Sequence, residues 1–149
     1  MLNKLKLLLE NCFPEEAEIE DEHRKSHLAA AALMVEIATI DEHFDERELA
    51  TLTQEIERQF QLPQDGIKKL AEEARSRSKE STSLYDFTQH INSEFDQSEK
   101  FDLLVGMWRI AYADGSLDKY EEYMVRKVSE LIYLAHGDFI RAKQIARQG

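Results

Sequence analysis

Cysteine, proline and glycine are scarce in this chain of 149 residues, which has 1 Cys, 2 Pro and 5 Gly. A single thiol, Cys12, cannot close an intramolecular disulfide. With no secretory leader pattern, a reducing, cytoplasmic compartment is expected. So few turn formers argue against a β architecture of many short strands. Long apolar runs are missing too. The N-terminal stretch MLNKLKLLLENCF is interrupted by Lys4 and Lys6 and is too short to span a bilayer, so direct membrane insertion is not expected. It reads as an amphipathic helix packed on its own domain, with Cys12 inert near its end because no His-based motif accompanies it. Positive charge is also in deficit: 19 Lys and Arg face 30 Asp and Glu, a formal net charge of −11. No basic stripe interrupts that field, which excludes nucleic acid as a partner and leaves solubility, cation binding or a basic partner. Finally, no Gly-rich phosphate loop, no G-x-S-x-G and no Cys/His cluster appears, so the chain reads as non-enzymatic.

What is present is a 42% hydrophobic content arranged at a period of 3.6. Leu28, Ala31, Ala32, Val35 and Ala38 form one stripe. Leu49, Leu52, Ile56 and Phe60 form the next, followed by Ile67, Leu70, Ala71 and Ala74, and then by Leu84, Phe87 and Ile91. Phe101, Leu104, Val105, Trp108 and Ala111 mark the most apolar helix. Met124, Val128, Leu131 and Ile132, then Phe139, Ala142 and Ile145, complete the set. The breaks carry helix punctuation: Pro63 at a helix start, Gly115 after a helical run, and Ser83 and Asp138 as candidate N-caps. The polar stretch EARSRSKESTS reads as a frayed helix end and loop between two halves of one domain. The expectation is all-α, a single-domain helical bundle of about seven to eight helices spanning residues 1–149. About residues 1–20 form an N-terminal helix and lead-in, and about 25–148 form the core.

The core contains an internal repeat. A shift of 73 places Met34 on Met107, Ile37 on Ile110 and Ala38 on Ala111. It also places Asp41 on Asp114, Asp45 on Asp118 and Glu48 on Glu121, giving six identities in fifteen positions. Phe44 falls on Leu117, Leu52 on Val125 and Phe60 on Tyr133. A duplicated helix hairpin is expected to pack on its copy with pseudo-two-fold symmetry.

Each hairpin loop carries an acidic triad: Asp41, Asp45 and Glu48 in the first, Asp114, Asp118 and Glu121 in the second. Two readings fit. Oxygens on both sides of a short loop can converge on a hard divalent cation, Ca²⁺ or Mg²⁺. Alternatively, Asp45 with Glu48 and Asp118 with Glu121 have the spacing of a capping box, and acidic residues suit a helix N-terminus. Asp41 and Asp114 are not explained by capping, since each follows a helix C-terminus, where the dipole disfavours a carboxylate. Neither loop has the alternating ligands of an EF-hand. His23 and His27 share a helix face, but HRKSH places Arg24 and Lys25 between them, and they read as solvent-exposed. His43, His90 and His136 have no obvious partner. Trp108, Tyr112, Tyr120 and Tyr123 have the spacing of core and core-edge packing.

The segments AALMVEIATIDEHFDEREL and WRIAYADGSLDKYEEYMVRKV resemble the signature of the TerB-like tellurite-resistance family, whose module also forms the N-terminal region of DjlA-type DnaJ co-chaperones. The first segment departs from the second at Glu42, where the second has Gly115. The resemblance implies an all-α bundle with an internal duplication and a metal site of clustered acidic residues. Carried over, these are Asp41, Asp45 and Glu48, and Asp114, Asp118 and Glu121. It also implies an association with tellurite and stress resistance and with membrane-linked complexes. The resulting expectation is a cytoplasmic, non-enzymatic domain that binds a divalent cation, Ca²⁺ first, and docks on a protein partner. The alternative is a metal-independent interaction scaffold, like the co-chaperone module.

Overall fold

The computed structural model describes residues 10, 12–14, 22–39, 45–76, 84–113 and 119–148. Among these, every regular element is an α-helix: α1 (Glu22–Ala38), α2 (Glu46–Phe60), α3 (Gln64–Ser76), α4 (Leu84–Glu94), α5 (Gln97–Ala111), α6 (Lys119–Leu131) and α7 (His136–Gln148). Ser83, expected as a cap, lies outside the described residues.

Two helices form the centre. α1 is buried without a break from Leu28 to Thr39, and α5 is buried from Leu103 to Trp108 and again at Ile110 and Ala111. A helix that is apolar around most of its circumference has to be surrounded. Accordingly α1 packs on α2, α3, α4, α5 and α6, while α5 packs on α1, α2, α6 and α7. The outer helices bury one stripe each, for example Leu52, Ile56 and Phe60 on α2. Before them, Cys12 and Phe13 are buried against α3. A Cβ on Gly66 would stand 2.4 Å from the Phe13 ring and 2.6 Å from the Cys12 carbonyl, so only glycine admits that approach.

The duplication is larger than a hairpin. At a shift of 73, α1 and α5 end together at Ala38 and Ala111, and α2 and α6 begin together at Glu46 and Lys119. The third helices, α3 and α7, correspond at a shift of 72 and are 13 residues each. The slip falls in the last turn of α6. Among the described residues, Gln61 and Tyr133 are the two non-glycine residues with positive φ, at 55° and 63°. Each is followed by a buried leucine, Leu62 and Leu134. Tyr133 therefore corresponds to Gln61, not to Phe60 as the constant shift of 73 suggested: Phe60 is buried, whereas Tyr133 is 76% exposed. After α6 the chain closes with a Schellman pair, Leu134 N to Ser129 O (3.0 Å) and Tyr133 N to Glu130 O (3.1 Å). The expected pseudo-two-fold appears in the packing, because α2 lies on α5 and, reciprocally, α6 lies on α1. Between the halves, α4 is tied to α1 by Ser26 Oγ donating to His90 O (3.1 Å) and to α6 by Asn92 Nδ2 donating to Leu131 O (2.9 Å).

Three sequence expectations are corrected. Tyr120 and Tyr123 are not core-edge residues: they are 69% and 57% exposed, because Val125 and Val128, not the tyrosines, point at the core. His27 is not a solvent-exposed histidine. Its ring packs on Phe60 (centroids 5.2 Å) and Phe95 (5.7 Å), and its Nε2 lies 3.9 Å from Glu99. Asp138 does not cap α7, which begins at His136; it lies in the first turn and pairs with Arg141 at 3.0 Å. Trp108, by contrast, is fully buried as expected, stacked on Tyr112 and edge-on to Phe139.

Candidate metal centre

Of the six acidic residues singled out by the repeat, Asp45, Glu48 and Glu121 fall within the described residues. Asp41, Asp114 and Asp118 lie outside them. Asp45 is the N-cap of α2. Its Oδ1 accepts the amides of Arg47 (3.0 Å) and Glu48 (3.1 Å), and its Oδ2 faces the Arg47 guanidinium at 3.4 Å. The Glu48 amide, with Arg47 in support, holds the Asp45 carboxyl below its ordinary value of 3.8, against a smaller opposing effect of desolvation. The capping half of the sequence reading is therefore realised at Asp45.

Glu48 and Glu121 behave differently from ordinary capping residues. Each is 1% exposed, and both carboxylate oxygens of Glu48 and Oε2 of Glu121 are shielded from solvent. The contrast within the same molecule is α5, which has a complete capping box. There Asp96 Oδ1 accepts the Glu99 amide (2.8 Å), and Glu99 Oε1 accepts the Asp96 amide (3.1 Å). That working cap glutamate has a side chain 34% exposed. A first-turn glutamate can thus cap from the surface, so capping does not require the deep burial of Glu48 and Glu121. Burying a carboxylate is costly unless an oppositely charged or hydrogen-bonding environment receives it.

The cause of the burial is helical phase. Glu48 lies four residues before Leu52, and Glu121 four before Val125, and both of those side chains are fully buried. The core stripe of each helix thus begins with a carboxylate. This signal was present in the sequence, as was the D-x-x-E of Asp96 and Glu99, which sequence reasoning did not single out. The arrangement offers one inward carboxylate at the same place in each repeat, and the rest of each triad precedes it in the sequence. Carboxylate oxygens are the donors that Ca²⁺ and Mg²⁺ select. Among the described residues no three His, Cys, Asp or Glu side chains come together as a metal-binding group; each triad has members outside them.

Two other polar clusters have different roles. Glu55 receives Arg58 at 2.6 Å and Arg109 at 3.5 Å, and Gln59 Nε2 donates to Asp102 O at 3.1 Å, which ties α2 to α5. Beside His27 there is an open cleft of about 260 Å³ lined by Arg58, Gln59, Phe60, Phe95, Glu99 and Asp102. Its Arg58 is already engaged by Glu55.

Among the described residues no helix is long and apolar enough to cross a membrane. Neither a curated protein nor a solved structure matches the chain. A family does: residues 27–144 match the family described as "Tellurite resistance protein TerB". That span covers both halves of the duplicated core and both carboxylate-bearing helices, and the chain belongs to the TerB family, a family associated with tellurite resistance.

Proposed function

We propose that this TerB domain is a non-enzymatic, stress-associated binding module whose two acidic loops take up a divalent cation, Ca²⁺ or Mg²⁺, and whose helical surface docks on a protein partner within a membrane-linked stress-response complex. The observation that carries the cation reading is the burial of Glu48 and Glu121 at equivalent places in the two repeats. Each is a carboxylate held at a fixed place, the kind of oxygen donor that a hard cation selects. Asp41 with Asp45, and Asp114 with Asp118, would supply the remaining charged oxygens from each loop. The ion would hold two helix ends together, so the docking surface would be presented in one shape only when it is loaded.

A second reading is a metal-independent scaffold. It is favoured by Asp45, whose carboxylate is already engaged by two backbone amides and Arg47. Thermal melting of metal-stripped protein separates the two. The cation reading expects the melting temperature to rise with added Ca²⁺, and the rise to disappear in an Asp114→Ala, Asp118→Ala double variant. No shift with millimolar Ca²⁺, Mg²⁺ or Mn²⁺ would leave the scaffold reading standing.

A further inference from the structure

We draw no further inference here: the strongest candidate, the tyrosine-bearing surface patch on the outer face of α6 around Tyr123 and Lys127, carries nothing, because nothing in the structure shows what covers it.

Discussion

Replacing one glutamate at a time by glutamine distinguishes a cap from a cation ligand. Glu48, Glu99 and Glu121 all lie in the first turn of a helix. Glutamine serves a capping box about as well as glutamate. Glu99→Gln, in the complete box of α5, should therefore change stability by no more than a few tenths of a kcal/mol. Glu48→Gln and Glu121→Gln keep the volume and one carbonyl acceptor at sites that are 1% exposed, but they remove the formal charge that a divalent ion needs. At a Ca²⁺ concentration 100 times the Kd, one site stabilises the fold by about 2.7 kcal/mol. For a domain of this size that corresponds to about 5–11 °C in Tm. The measurement is calorimetric melting of wild type and the three variants, in chelator and then in Ca²⁺, compared as the increment each gains from the ion. Glu48→Gln and Glu121→Gln should each forfeit most of the increment of their own site, and Glu99→Gln should keep the wild-type response. Equal increments in all four proteins would refute the assignment of Glu48 and Glu121 as ligands.

Two further expectations concern the fold that holds these residues. A Cβ at Gly106 would stand 2.4 Å from Gln59 Nε2, 3.1 Å from Met34 Cε and 3.3 Å from Glu55 Oε2. In Gly106→Ala the helix gains about 1 kcal/mol of propensity, but the Gln59 bond to Asp102 is lost at about 1 kcal/mol and the crowding costs about 1–2 kcal/mol more. Urea melts should show a net loss of about 1–2 kcal/mol, and a stabilised variant would refute the close seam between α2 and α5. The second concerns Asp45, whose folded pKa is lowered chiefly by the Glu48 amide. Its contribution is present above the ordinary value of 3.8 and is lost as the pH falls through the lowered one. In Asp45→Asn that acid-side loss should be missing, so its Tm deficit relative to wild type should shrink between pH 5 and pH 2; a constant deficit would refute it.

The helices were legible because their apolar residues recur at 3.6 without competition from turn formers, and α1 and α5 stood out because they are apolar nearly all round. The carboxylate burial was legible in principle. Glu48 and Glu121 are in phase with Leu52 and Val125, but the Asp-x-x-Glu spacing supplied a sufficient local reason for them and masked the phase. The exposure of Tyr120 and Tyr123 was not legible in the same way. Their spacing fits either side of a helix, and the side is decided by Val125 and Val128 turning toward the core. The slip from 73 to 72 was hidden by chemistry: Phe60 over Tyr133 is a conservative-looking match, and only the left-handed caps at Gln61 and Tyr133 show that the last turn is one residue shorter.

A duplicated domain has to distinguish its own halves. If the seams α2–α5 and α6–α1 were equivalent, either copy could occupy either place, and two arrangements would compete. The buried residues prevent this. At the first seam Glu55 is held by Arg58 and Arg109, and Gly106 leaves room for the Gln59 amide. The positions equivalent to Glu55, Gly106 and Arg109 are Val128, Leu33 and Glu36, all buried. Exchanging the seams would set the Glu55 carboxylate against Leu33 and Glu36 instead of Gly106 and Arg109, a steric and electrostatic mismatch. A single polar layer thus specifies the arrangement, the role for which buried polar groups are best attested. The same packing orients the helix ends. Because α2 and α6 are each locked to a central helix along the stripe that begins with Glu48 or Glu121, the core sets the position of the two inward carboxylates.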